Sequence, residues 1–146
     1  MRPEYQRHQV RLDMDSQTDL MAVNADELEI QQVLVNLMQN ALEAIVNQVP
    51  PPPERWMRVT VSPVSLRRQV ELSVTDSGPG LPENEIEQLF DPLVSHRDGG
   101  NGLGLAIARS IIEAHGGSIA ASNEPGSGAR FRILLPLSDG GSSQEV

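Results

Sequence analysis

One stretch of this chain leaves little freedom in how it folds. Between Asp26 and Asn47 the apolar residues Ile30, Val33, Leu34, Leu37, Ala41 and Ile45 recur at three- and four-residue spacing. That spacing gathers them on one face and predicts a long helix packed by that face on a core. The run Pro50 to Pro53 ends it, because consecutive prolines neither donate helical hydrogen bonds nor leave the preceding residue helical. On both sides of this helix the period falls to two. Gln9 to Met14 and Leu20 to Val23 predict two short strands, and Met57 to Val61 with Val70 to Val74 predict an antiparallel hairpin.

Beyond the hairpin, Asp76 to Leu81 is a glycine turn. Pro82 to Phe90 predicts a short helix with proline in its first turn, and Asp91 to Gly102 a mobile loop. Leu103 to His115 predicts a second main helix stopped by Gly116 and Gly117. Ser118 to Ser122 and Arg130 to Leu135 predict the last two strands. The tail from Ser138 to Val146 is expected to be disordered, leaving residues 1–137 as one domain. This order of elements fits a two-layer α/β sandwich, a mixed sheet covered on one face by helices. A domain of 146 residues buries roughly two thirds of its unfolded surface, enough for a core without staples.

Composition removes several function classes. With 20 acidic against 11 basic residues the net charge is -9, the wrong sign for a binder of nucleic-acid backbone. All the basic residues are arginine. A Walker A loop and a eukaryotic-type protein kinase both need a lysine at the phosphates, so both fail on residue type. With no cysteine there is no disulfide framework and no thiolate metal site. No apolar run approaches the ~20 residues that span a bilayer. A soluble domain is expected, whatever anchor a parent protein carries.

Three stretches carry chemistry. On the long helix Asn36, Asn40, Glu43 and Asn47 fall at i, i+4, i+7 and i+11, one polar stripe away from the apolar face. A solvated helix back is the plain explanation, yet each asparagine costs roughly half a kcal/mol of helix propensity relative to alanine. A neutral amide oxygen also suits Mg²⁺ when phosphates supply the charge. Asp76-Ser77-Gly78-Pro79-Gly80 follows a strand directly, and its carboxylate can accept a hydrogen bond from the amine of a flat base. An ordinary Asp-Gly-Pro turn would look the same. Gly99 to Leu105 ends a loop and opens a helix, where unpaired N–H groups and the helix dipole favour phosphate. The same glycines also suit a hinge.

Taken in order, these stretches resemble the signature boxes of the GHKL ATPase/kinase superfamily. Asn36-Leu37-Met38-Gln39-Asn40-Ala41 is similar to its N box, Asp76-Ser77-Gly78-Pro79-Gly80 to its G1 box, Leu89-Phe90-Asp91-Pro92-Leu93 to its F box, and Gly100-Asn101-Gly102-Leu103-Gly104-Leu105 to its G2 box. Gly126 to Phe131 before the last strand completes the likeness. The resemblance implies a Bergerat-type α/β sandwich that binds ATP and Mg²⁺. Asn40 would hold the metal with Asn36 beside it, Asp76 would read adenine, and Gly100, Gly102 and Gly104 would wrap the phosphates. Gly78, Gly80, Leu81, Ser95 and Leu103 would complete the nucleotide contacts.

Gyrase, Hsp90 and mismatch-repair ATPases place a water-activating glutamate where this chain has Asn36. Its absence turns the resemblance towards the sensor histidine kinases of two-component systems, in particular those that sense nitrogen and oxygen. Their nucleophile is an imidazole on another domain. The implied reaction is transfer of the γ-phosphoryl group to a histidine on the dimerisation domain of the same kinase, with a response regulator downstream and a cytoplasmic setting. Arg97, in Ser95-His96-Arg97, stands where many such kinases carry a lid lysine, and is the candidate cation at the γ-phosphate. Ala129 replaces a threonine common before the last strand, and Ala44 a tyrosine that some relatives place over the base. His8, His96 and His115 lack a phosphoacceptor context. The departure at the lid motivates an alternative, a nucleotide-binding scaffold without transfer activity.

Overall fold

The computed structural model describes residues 10–16, 27–48, 54–64, 68–91, 102–126 and 128–136. Its elements are β1 (Arg11–Ser16), α1 (Glu27–Val46), β2 (Trp56–Val64), β3 (Gln69–Asp76), α2 (Gly102–Ala114), β4 (Ser118–Asn123) and β5 (Ala129–Pro136). The strands form one five-stranded sheet in the order β1-β2-β3-β5-β4. β1 runs parallel to β2, which a crossover must allow, and α1 lies in that connection. The other neighbouring pairs are antiparallel, so the sheet is mixed.

Strand alternation decides which side of the sheet the helices cover. Met57 and Val59 of β2, Val70, Leu72 and Val74 of β3, and Phe131, Ile133 and Leu135 of β5 are all buried. They form one core with Ile30, Val33, Leu37, Ala41 and Ile45 of α1 and Leu105, Ala108 and Ile112 of α2. The α1 set consists of apolar positions from the periodic run that predicted the helix. On the opposite face stand Arg58, Thr60, Ser73 and Arg132, with the hydroxyls of Thr60 and Ser73 hydrogen-bonded across β2 and β3. The same alternation turns Asp76, at the end of β3, towards the helices.

The stop of α2 follows its two glycines. Gly116 takes φ +79°, its N–H reaches Glu113 O at 3.0 Å, and the N–H of Gly117 reaches Ile112 O at 3.0 Å. This is the paired bonding of a Schellman cap. His115 is structural: Nδ1 lies 2.7 Å from Ile111 O, and Nε2 lies 3.4 Å from Glu29 at the start of α1.

The segment expected to form a short helix from Pro82 to Phe90 is instead a 3-10 turn, Glu83–Gln88. Six residues with none buried have no apolar face to repay helix nucleation. Pro82 is extended, at φ -61° and ψ 129°, and precedes the turn rather than opening a helix. Phe90 is anchored all the same, edge-on to Phe131 with ring centroids 6.2 Å apart. The expected strand Leu20 to Val23, the proline run, the loop from Pro92 to Asn101 and the tail lie outside the described residues. No described helix is long and apolar enough to cross a membrane.

Candidate functional site

The end of β3 meets the start of β5, and Asp76 lies where they meet. The residue is 1% exposed, and Oδ1 accepts the N–H of Gly78 at 2.8 Å and that of Ala129 at 3.3 Å. Its own carbonyl accepts the N–H of Gly128 at 2.8 Å. A buried carboxylate is tolerable only when hydrogen-bonded, and here backbone donors from two segments hold it in one orientation. Ser77 closes the strand end: Trp56 N–H donates to its Oγ at 2.9 Å and Ser77 N–H to Trp56 O at 3.0 Å.

Close approach explains the glycines around this carboxylate. A Cβ at Gly128 would stand 2.4 Å from Asp76 Oδ1 and 2.6 Å from Gly78 O, so no side chain fits there. A Cβ at Gly78 would come within 3.3 Å of the Ala44 methyl on α1. At Ala44, then, α1 passes directly beside the turn.

From Ala44 the helix leads back, one turn at a time, to Asn40 and Asn36. Asn40 is buried at 5% exposure. The polar stripe is thus not a solvated helix back, although Asn47 at its end is exposed. Helix α1 rests on the sheet beside α2, and Asn40 on it is shielded from solvent. Asn36 Nδ2 points at Gly104 O in the first turn of α2, a long contact of 3.5 Å, and Gln32 donates to Asn36 Oδ1 at 3.2 Å. Two helical turns separate Asn36 from Ala44, about 12 Å at 1.5 Å per residue. Over that length α1 joins the glycines of α2 to the turn after Asp76.

Gly102 and Leu103 open α2, so the backbone of this glycine box belongs to a helix N-terminus, the geometry that suits an anion. Ser95, Arg97 and Gly100 lie outside the described residues. A metal would find only neutral oxygens at Asn36 and Asn40. Among the described residues no group of three acidic, histidine or cysteine side chains could hold a metal by itself. That donor set fits Mg²⁺ arriving with phosphates, which supply the charge and most of the ligands.

Sequence reasoning missed Asn123, the last residue of β4. Its Oδ1 accepts Leu81 N–H at 2.7 Å and its Nδ2 donates to Leu81 O at 2.9 Å. The N–H of Leu81 is thereby engaged, and its side chain is buried. Arg130 was missed as well: it bridges Glu124 and Glu71 at 3.3 and 3.2 Å and pins the β4–β5 turn to β3. The signal available for Asn123 was an asparagine closing a strand before a glycine turn, which by itself indicates only the turn.

Residues 25–139 match the family model described as histidine kinase-, DNA gyrase B-, and HSP90-like ATPase. The chain belongs to that ATPase family. Within it the relatives are sensor kinases. Sensor protein FixL of Bradyrhizobium diazoefficiens is 42% identical over 134 residues, which is 92% of this chain and 25% of FixL. The chain thus spans a quarter of that relative's length. The crystallised catalytic domain of histidine kinase ThkA superposes with a TM-score of 0.77 at 31% identity, over 92% of this chain and 85% of that one. ThkA bound to the response regulator protein TrrA matches at 0.73 and 29%, covering 92% and 36%. Full-length ShkA in complex with AMPPNP matches at 0.75 and 27%, covering 91% and 27%. The fold is that of the histidine-kinase catalytic domain, an ATP-binding α/β sandwich.

Proposed function

We propose that this domain binds Mg·ATP between α1, the turn after β3 and the start of α2, and presents the γ-phosphoryl group to a histidine on the dimerisation domain of the same kinase. The observation that carries the reading is the buried carboxylate of Asp76, held by two backbone amides at the end of a strand and joined through α1 to a glycine-opened helix N-terminus. That arrangement offers an acceptor for the amine of adenine at one end and N–H donors for phosphate at the other. The AMPPNP bound to ShkA supports the nucleotide, and the ThkA–TrrA complex supports a response regulator as the onward partner.

Asn40 provides the amide oxygen for Mg²⁺, with Asn36 beside it, and Gly78 and Gly80 let the backbone approach the base closely. Leu81 and Leu103 give apolar contact, and Gly100, Gly102, Gly104 and Ser95 surround the phosphates. Arg97 supplies positive charge at the γ-phosphate, where catalysis of phosphoryl transfer is mostly positioning and charge stabilisation. Position 36 carries an amide and no general base, so water is poorly activated and an imposed imidazole nucleophile is favoured.

Calorimetry with a non-hydrolysable ATP analogue and Mg²⁺ tests the site. Asp76→Asn keeps an acceptor but loses the charge and turns an NH₂ towards the bound amine, so the dissociation constant should rise at least about tenfold. Equal affinity in wild type and variant would remove Asp76 from the nucleotide site. Labelled phosphate arriving on a dimerisation domain mixed with this chain would establish transfer; none arriving would refute it.

A further inference from the structure

We propose that Asn123 is the positioning residue of the nucleotide-binding turn, gripping it at the end opposite Asp76. The inference rests on the nucleotide reading above and adds the element that sets the geometry of the site. Asn123 and Ala129 are register partners across the β4–β5 hairpin. From this single cross-strand pair, the N–H of Ala129 reaches Asp76 Oδ1 at 3.3 Å and the amide of Asn123 takes both polar groups of Leu81 at 2.7 and 2.9 Å. The turn from Asp76 to Leu81 is therefore clamped at its first and last residues by one rung of a hairpin 42 to 53 positions away in sequence.

The chemistry requires an amide. Leu81 lies outside the described strands, and the planar Asn123 side chain offers it one acceptor and one donor side by side, as a peptide group in a paired strand would. An aspartate could only accept, and a serine is too short to present two separate groups. The turn has adapted to this partner. Gly80 takes φ +86°, and a Cβ there would stand 2.9 Å from Asn123 Oδ1, so glycine is required both by the backbone conformation and by the clamp. Asn123 is solvent-exposed, so its contribution lies in fixing where the turn sits more than in burial.

A positioning role predicts an effect on binding and not on the chemical step. In this chain, Asn123→Ala should weaken calorimetric binding of the ATP analogue with Mg²⁺ about tenfold. Phosphotransfer to an added dimerisation domain at saturating nucleotide should stay within about twofold of wild type. Asn123→Asp, which keeps the acceptor for Leu81 N–H, should fall between the two and serves if the alanine variant does not fold. Gly80→Ala should cost less affinity in the Asn123→Ala background than in wild type, because the clash with Oδ1 is gone. Unchanged affinity in a folded Asn123→Ala protein, or strictly additive effects of the two substitutions, would overturn the clamp and leave the nucleotide site standing. A wild-type chain that fails to bind the analogue would overturn both.

Discussion

The magnesium ligand proposed for this site, Asn40, carries no charge, and that makes metal binding conditional. Asn40 is buried and neutral, and a hard cation needs several oxygen ligands with net negative charge, which only the phosphates of a nucleotide bring to this site. Magnesium alone should bind weakly, and Asn40→Ala should abolish the gain in nucleotide affinity on adding Mg²⁺ while leaving affinity in chelator within about twofold. Titrations of the analogue with and without Mg²⁺ read both quantities, and a variant that keeps the magnesium gain would exclude Asn40 as ligand. At this scale the sequence was informative about residue types. Asp76 at a strand end and asparagines in a helix were legible because each violates an ordinary preference. Gly128 was legible only as part of a turn, because what excludes a side chain there is Asp76 Oδ1, 2.4 Å from where a Cβ would stand and far away in the chain.

Among the elements, α1 was the most legible, since its apolar residues repeat over about four turns and leave one solution. Leu37, fully buried at 0% exposure, faces the sheet from its middle. Leu37→Ala should cost about 2–5 kcal/mol through lost transfer energy and the cavity left behind, measurable as a fall in the urea midpoint at unchanged m-value. A loss under 1 kcal/mol would mean that α1 does not pack as described. The 3-10 turn Glu83–Gln88 was not legible as such. Six residues contain fewer than two helical periods, and Ile86 with Leu89 satisfies a helix pattern and a turn equally. The end of α2 was legible to within one residue, His115 expected against Ala114, because two adjacent glycines both permit the left-handed cap and remove the side chain that would strike Leu134 O, 2.1 Å from a Cβ at Gly117.

At the scale of the whole molecule, a ligand that binds only the folded state must stabilise it. Mg·ATP analogue at about a hundred times its dissociation constant adds about 2.7 kcal/mol, which for a domain of this size raises Tm by about 5–10 °C. Thermal unfolding at graded nucleotide concentrations measures this, and a concentration-independent Tm would contradict binding to the native fold. The sequence by itself determined the two main helices, the strands of the described sheet, their order, and the chain positions of the four boxes, because helical and strand periodicity and backbone-breaking residues act within a few neighbours. It also excluded lysine-dependent phosphate sites through composition alone. Only the tertiary structure decided that β5 inserts between β3 and β4, and hence that Ala129 reaches Asp76, Asn123 reaches Leu81, and Asn36 faces Gly104. The groups that meet in those contacts are mostly backbone N–H and C=O, which nearly every residue carries. No residue type announces them, and strand pairing between distant segments is what brings them together.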